Sequence, residues 1–555
     1  MILALGVFFR FYLINQTPPG LYPDEATNGN NAVEALYNTD FSAKGGPVLG
    51  WKIFYPENNG REGLFINIQA LSLWLLGQHA WTLRVVSALF GSLTIFGVYL
   101  LARELFRDKP RRATLVALFA SFFLATSFWH INFSRIGFRA ISVPFFSAFG
   151  IYFLLKGLRK SKISDLVFAG IFFGLGLHTY IAFRFMPFVV ALPLAIYFWR
   201  WWRPNTVTVD TNGTAKKSCA PCAITLFIFV AFVVALPIGY YFLQNPQDFL
   251  GRSEQVSIFS AANPLFEFVK SNGLTTQMFF WRGDCNPRHN FACQPELFWP
   301  VAIFFAIGLV LAIKRAFFKN KQKENEDSDE KLAAWTILIW LFFMLLPATL
   351  TREGLPHALR SIGLIVPVFI LAGWGAEYLW TSVRDYINRA SENPKWEVYR
   401  RQLNRLKKEA ALLLALLLLF IAFNAWQTYF LRFANNINTY YAFSTDLTHI
   451  GEYINGLPKE TKKIIIVNLN GNLIRGLPAP AQTPMFISDT FSEEKRRAKN
   501  VKYLTTLDGL AIGQKEKTAI LLLNSGDKTL IQEIKKRFPE LKPSAPGDFI
   551  SFESH

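Results

Sequence analysis

Residues 82–125 read TLRVVSALFGSLTIFGVYLLARELFRDKPRRATLVALFASFFLA. Two apolar runs, each close to the ~20 residues that cross a bilayer's hydrocarbon core, flank one short basic connection. That connection, 102–112, holds Arg103, Arg107, Lys109, Arg111 and Arg112. The same alternation extends in both directions. Apolar blocks at 1–15, 81–101, 113–130, 141–157, 165–183, 186–201, 222–243, 297–313, 333–350, 358–380 and 409–428 predict eleven membrane spans. If the spans alternate, the connections 102–112, 156–162, 200–217, 314–331 and 384–408 share one side. They carry 27 of the 58 lysines and arginines, and the positive-inside rule makes that side cytoplasmic. The N-terminus is then cytoplasmic, and segments 16–80, 244–296 and 429–555 are exoplasmic. Arg10 interrupts the short first block, so either the span begins upstream or Arg10 snorkels to the interface. The block lacks the basic n-region and small-residue cleavage site of a signal peptide.

Composition agrees. The chain has 555 residues, 52% hydrophobic and 17% charged, with a net charge of +19. Soluble domains carry about 25% charged residues. Such an apolar chain is not a disordered one, and four cysteines do not make a disulfide-dense scaffold. The basic excess sits largely in the connections, so it implies no nucleic-acid partner. The fold class expected is an α-helical polytopic membrane protein, with a transmembrane domain over 1–428. Residues 429–555 change character: KKIIIVNL (462–469), AILLLN (519–524) and DKTLIQEIKKRF (527–538) alternate β-rich runs with an amphipathic helix. They predict a small α/β accessory domain. The run KNKQKENEDSDEK (319–331) reads as a solvated inner loop.

Chemistry-bearing residues gather in the segments assigned to the outer face. GLYPDEATNGNNAVEAL (20–36) places Asp24 and Glu25 just after the first span. YPENNGREGLFINIQALSLWLLG (55–77) places Arg61 and Glu62 at the head of a helix whose Leu64, Phe65, Ile68, Leu71, Leu75 and Leu76 recur at helical spacing, as in an interfacial helix. Carboxylates there can take a proton from an acceptor hydroxyl or hold a divalent metal. Equally, Asp24 can cap a helix from about Ala26, and Glu62 can serve a first turn.

A second group is basic. GDCNPRHN (283–290) contributes Arg288 and His289, TREGLPHALRSIG (351–363) contributes His357 and Arg360, and FWHINFSRIGFRAI (128–141) contributes Arg135 and Arg139. Guanidinium groups at headgroup level bind phosphate bidentately, or pair with lipid headgroups or carboxylates. Cys285 and Cys293, in the same outer loop, predict a disulfide. Cys219 and Cys222 form a C-x-x-C on the inner side, where reduced thiols are expected over a zinc site. Asn15, Asn132 and Asn212 begin N-x-Ser/Thr sequons, Asn212 on the inner side.

In order, PDEA after the first span, REGLF-INIQALS-WLLG, TLRVVSALFGSLTIFGVYLLARELF, SFWHINFSRIGFRAISVPFF, GDCNPRHN and LPHALRSIG resemble the GT-C glycosyltransferases. The similarity is to the family 39 group of bacterial protein-mannosyltransferase-like and aminoarabinose-transferase-like enzymes. It covers about residues 1–425. It implies an inverting transfer of a sugar from a polyprenyl-phosphate donor to an acceptor hydroxyl at the outer face of a bacterial inner or plasma membrane. The acceptor class, protein or glycolipid, stays open. By the same resemblance Asp24 would be the general base, with Glu25 orienting it or the acceptor. Glu62, with Arg61 beside it, would contact acceptor or metal. Arg360, His357, Arg288 and His289, with Arg135 and Arg139, would hold the lipid phosphate. No cofactor is implied beyond a possible divalent metal. A transporter or flippase of polyprenyl-linked glycans would instead show ionisable residues near span centres. A sensor or assembly scaffold would leave the acidic pair without a role.

Overall fold

The computed structural model describes residues 1–36, 50–202, 219–249, 257–318, 328–352, 354–513 and 516–554. The sequon at Asn212 and most of 319–331 lie outside them. In chain order the described helices begin with α1 (Ile2–Phe11), α2 (Pro23–Leu36), α3 (Gly63–Leu76), α4 (Ala80–Leu105), α5 (Pro110–Ala125), α6 (Phe128–Phe133) and α7 (Ser142–Lys160). There follow α8 (Ile163–Gly176), α9 (Met186–Trp202), α10 (Ala220–Gln244), α11 (Pro264–Gln277), α12 (Trp299–Phe317), α13 (Ser328–Thr349), α14 (Ile365–Glu392) and α15 (Arg400–Trp426). The C-terminal region adds α16 (Ile437–Ala442), α17 (Thr445–Gly456), α18 (Gln482–Ile487), α19 (Glu493–Ala498) and α20 (Lys528–Arg537). The protein is a polytopic helical membrane protein with a small C-terminal α/β region. Among the described residues, eight helices are long and apolar enough to cross a membrane by length and composition. The difference from the eleven expected has local causes. The block 1–15 yields a ten-residue helix, and 165–183 yields one of fourteen residues. The block 113–130 divides after Ala125, where Ser127 accepts the His130 N–H and starts α6.

The chain forms two compact units. One unit is Met1–Tyr12, Ala88–Ser134 and Arg139–Leu431. The other is Leu13–Ser87, Arg135–Phe138 and Arg432–His555, so the first loop groups with the C-terminal region.

In the first unit Arg10 does not snorkel. It is fully buried. Its guanidinium donates to the carbonyls of Leu124 and Ala125 at the end of α5, both at 3.3 Å, and to His130 Nδ1 at 2.5 Å. A cation at a helix C-terminus is favourable, and here it satisfies carbonyls that α5 leaves open. α12 and α14 meet backbone to backbone. A Cβ on Gly308 would lie 1.9 Å from the Leu371 carbonyl oxygen, and one on Gly375 2.0 Å from that of Phe304. Without a hydrophobic drive between helices in lipid, such close approach supplies the packing energy. Gly308→Ala or Gly375→Ala is expected to cost about 1–3 kcal/mol by overpacking, read as a lower thermal midpoint in detergent. Cys219 and Cys222 are disulfide-bonded, where free thiols were expected.

In the second unit the C-terminal sheet has the order β6-β3-β7-β9-β8. It comprises β3 (Lys462–Ile466), β6 (Val501–Leu504), β7 (Thr518–Leu522), β8 (Lys542–Ser544) and β9 (Ser551–Glu553). β6, β3 and β7 run parallel, and β9 and β8 add antiparallel. The central strands are apolar on both faces because both are covered. Leu447, Ile450 and Ile454 of α17 pack one side, and Ile534 of α20 packs the other. The first loop contributes the hairpin β1 (Phe54–Tyr55) and β2 (Arg61–Glu62). A second hairpin joins β4 (Leu473–Ile474) and β5 (Leu477–Pro478). Leu21, Ala26, Val33, Tyr55, Ile66, Leu83 and Phe486 share one core, which ties α2 and α3 to the C-terminal region.

α3 is not amphipathic in the usual sense. Leu64 and Ile68 are half-buried and Leu71, Trp74, Leu75 and Leu76 exposed, whereas Asn67, Gln69 and Ser72 are buried. Gln69 donates to the Leu83 carbonyl and Ser72 to that of Thr82. The buried face mixes these polar residues with Phe65, Ile66 and Leu73, and the apolar exposed face suits contact with lipid. Phe65, assigned to that face from its spacing, is instead buried.

Candidate functional site

The acidic motif opens α2. Pro23 suits the first helical position because its missing N–H would have no partner there. Asp24 and Glu25 occupy the first turn, where the helix dipole favours negative charge. Their fates then diverge. Asp24 is partly exposed, and its Oδ1 accepts an N–H from Asn58 Nδ2 at 2.8 Å. Glu25 is fully buried. Its Oε2 accepts the Gly137 N–H at 2.7 Å and Arg84 Nε at 3.2 Å. Arg84, also buried, donates onward to the carbonyls of Pro18 and Gly20. Glu25 therefore braces the chain entering α2.

Arg61 and Glu62 are likewise drawn inside. Arg61 is buried and donates to Asn28 Oδ1 and Asn31 Oδ1, both at 2.6 Å, which holds β2 to α2. Glu62 is buried at the N-cap of α3 and makes no side-chain capping bond. Beside them Glu57 accepts from Asn31 at 2.8 Å and from Arg475 at 2.8 Å. Burial raises the Glu57 pKa, but these hydrogen bonds and the charge of Arg475 outweigh it and hold it below the usual glutamate value. Arg135 is fully buried and donates to the Thr17 carbonyl at 2.9 Å. That makes it a brace of the entry loop rather than a surface phosphate ligand.

In the first unit a second constellation is built on α6. Asn132 donates to the carbonyls of Arg288 and His289, at 2.7 and 3.0 Å. Trp129 Nε1 donates to the Ala358 carbonyl at 3.0 Å. One short helix thus fixes both the 284–290 loop and the 357–360 turn. Asn132 is fully buried, so its sequon is closed to modification in the folded chain. Cys285 and Cys293 are disulfide-bonded within that loop.

Asp284 links the two segments. Its carboxylate accepts His289 Nδ1 at 2.8 Å, the Ala358 N–H at 2.9 Å and the Asn286 N–H at 2.8 Å. His357 Nδ1 lies 3.9 Å from the same carboxylate, and the two imidazoles are 4.8 Å apart. Asp284, His289 and His357 offer ligand atoms within 4.8 Å of one another, a donor set that suits zinc. Arg360 donates to Thr351 Oγ1 at 2.7 Å, and Arg288 Nε to Asn286 Oδ1 at 3.2 Å. Arg139 stands apart, with its guanidinium over the Tyr180 ring at 5.4 Å.

Behind Asp284 is a cavity of about 290 Å³. Phe123, Phe128, Phe298, Trp299, Phe369 and Ile421 line it, together with Glu296. Glu296 Oε1 accepts the Asp284 N–H at 3.1 Å, and burial pushes its carboxyl well above the usual glutamate value. Asn58, Arg84, Asn132 and Asp284 all sit in quoted segments, but their roles lack a local signal, because bonds such as Asn58–Asp24, Arg84–Glu25 and Asn132–His289 span 34 to 157 residues.

Residues 64–240 match the family described as dolichyl-phosphate-mannose-protein mannosyltransferase. The undecaprenyl phosphate-alpha-4-amino-4-deoxy-L-arabinose arabinosyl transferase of Pseudomonas aeruginosa (strain UCBPP-PA14) is 26% identical over 208 residues. That is 36% of this chain and 35% of the relative, so the match spans about a third of the relative's length. The crystal structure of ArnT from Cupriavidus metallidurans bound to undecaprenyl phosphate aligns with a TM-score of 0.57 and 14% identity. It covers 100% of this chain and 97% of that one. The apo form of the same protein aligns with a TM-score of 0.57 and 15% identity, over 99% and 96% of the two chains. Identities this low bear on the fold alone. The chain shares the fold of those ArnT structures.

Proposed function

We propose that the protein transfers a sugar from a polyprenyl-phosphate donor to an acceptor hydroxyl at the outer membrane face, with Asp24 as general base. The observation that carries the reading is the difference between the two acids of the motif. Glu25 is spent on internal bonds, whereas Asp24 keeps a partly exposed carboxylate with one oxygen held by Asn58. A general base needs such access. The fold relative's bound undecaprenyl phosphate supports the donor class; the relative's name supports pentosyl transfer and the matched family's description hexosyl transfer.

The step balances simply. The acceptor oxygen gives its proton to Asp24 and bonds the anomeric carbon from the face opposite the phosphate. The carbon–oxygen bond to phosphate breaks, and the phosphate leaves with the electron pair, so the centre inverts. The leaving charge needs preorganised cations. Arg360 and Arg288 would supply them, with His357 and His289 as hydrogen-bonding partners of the phosphate, and the aromatic cavity lined by Glu296 suits an isoprenoid chain. If a divalent metal binds, Asp284, His289 and His357 would hold it, and it would supply charge at the phosphate.

Mass spectrometry of membrane glycolipids and glycoproteins, from cells with and without the protein, tests the activity and names the product. Arg360→Ala is expected to weaken binding of undecaprenyl phosphate about 10-fold, the scale of a lost charge-assisted hydrogen bond. Unchanged affinity in a titration of the purified variant places the phosphate elsewhere.

A further inference from the structure

Two hairpin tips meet in the second unit, and neither was assigned a role from sequence. The first is Glu57-Asn58-Asn59-Gly60, between β1 and β2. Asn58, Asn59 and Gly60 have φ of 51°, 65° and 76°. Three successive left-handed residues are uncommon, and asparagine and glycine tolerate them best. This turn carries the Asn58 amide to Asp24 Oδ1. The second tip is Arg475-Gly476, between β4 and β5, with φ of 50° and 81°. Ile474 pairs with Leu477, so this is a two-residue turn with both central residues left-handed, the tight type that hairpins favour. It presents Arg475, whose guanidinium stacks over Phe491 at 4.7 Å. Phe491 packs on the C-terminal core. From there Arg475 Nε reaches Glu57 at 2.8 Å, and its other nitrogen reaches Glu34 of α2 at 2.8 Å.

We infer that Asn58 is a positioning residue for Asp24, and that the C-terminal domain enforces this placement through Arg475. The inference rests on the reading of Asp24 as base and gives residues 429–555 a part in it. Arg475 joins the tip that carries Asn58 to the helix that carries Asp24, bridging Glu57 and Glu34 with one fork. A lysine has no such fork. Asn31 supports the bridge from α2 by donating to Glu57. With Oδ1 occupied by Asn58, Oδ2 is the Asp24 oxygen left to take the acceptor's proton. The depressed Glu57 pKa fits an ion pair that persists at neutral pH.

Asn58→Gly removes the amide while easing the left-handed backbone, and Arg475→Ala removes a half-exposed side chain. Transfer is measured with the polyprenyl-phosphate sugar that supports wild-type turnover, alongside undecaprenyl phosphate affinity and thermal midpoint. Asn58→Gly is expected to lower kcat about 10-fold with donor KM and undecaprenyl phosphate affinity unchanged. Arg475→Ala is expected to lower kcat about 3-fold to 10-fold, with Arg475→Lys in between. The double variant should match Asn58→Gly within about two-fold, because residues acting through one another are not additive. Multiplying effects in the double variant, a change confined to donor KM, or wild-type kcat in either single variant overturns the inference. Asp24→Asn separates the two failures. If it is inactive while Asn58→Gly and Arg475→Ala turn over normally, the base stands and the positioning falls. If Asp24→Asn turns over normally, the base assignment falls and takes the positioning with it.

Discussion

Asp24→Asn is expected to lower sugar transfer by about 10²- to 10⁴-fold, the range that a positioned base contributes, with undecaprenyl phosphate affinity unchanged. The variant is close to isosteric. Its amide oxygen can still accept the Asn58 N–H that now bonds Oδ1 at 2.8 Å, so the first turn of α2 keeps its shape. What is lost is the lone pair that takes the acceptor's proton. A loss of the first-turn carboxylate's favourable interaction with the helix dipole costs only about 0.3–1 kcal/mol, too little to explain loss of turnover by unfolding. Transfer assayed with purified variant, beside a lipid-phosphate titration, reads both halves of the expectation. Wild-type transfer by this variant removes Asp24 from the mechanism, and weakened lipid-phosphate binding moves it to the donor side.

The neighbouring acid is expected to fail in the opposite way. Glu25→Ala should destabilise the fold by about 3–5 kcal/mol, the scale seen when one partner of a buried ion pair is removed. Glu25 and Arg84 are at most 2% exposed. Without the carboxylate, the Arg84 guanidinium stays buried with its charge uncompensated, and the Gly137 N–H loses its acceptor. The chain from Pro18 to Gly20, which hangs on Arg84, loses its anchor as well. Glu25→Gln keeps an acceptor for Gly137 and should cost less. Thermal unfolding in detergent, together with the yield of monodisperse protein, measures the ranking of wild type, Gln and Ala. A Glu25→Ala protein with a wild-type midpoint and lost transfer would instead make Glu25 a participant in the reaction.

These two adjacent residues show how far local sequence reaches. Asp24 and Glu25 are equivalent in composition and spacing, and both suit the start of a helix. Their chemistry separates because α2 turns one toward Asn58 and the other into Arg84 and Gly137, 59 and 112 positions away. The same limit governs Arg61 and Arg135, whose guanidinium groups were equally compatible with phosphate until their partners Asn28, Asn31 and Thr17 were seen. Residues 283–290 and 351–363 were legible as candidates because unusual polar residues stood out between apolar blocks. That Asp284 joins them was not, since its contact to Ala358 spans 74 positions.

The sequence by itself determined that this is a helical protein of the membrane and where its apolar helices run. Hydrophobicity over a ~20-residue window is a local quantity, and a bilayer responds to it directly. It also determined that residues 429–555 carry the strands and helices of a small α/β region, because side-chain periodicity is local too. Tertiary structure alone decided which charges face water and which are consumed inside. It also decided that the first loop and residues 432–555 form one unit. The reason is physical: a buried charge is tolerated only with partners, and folding draws those partners from anywhere along the chain.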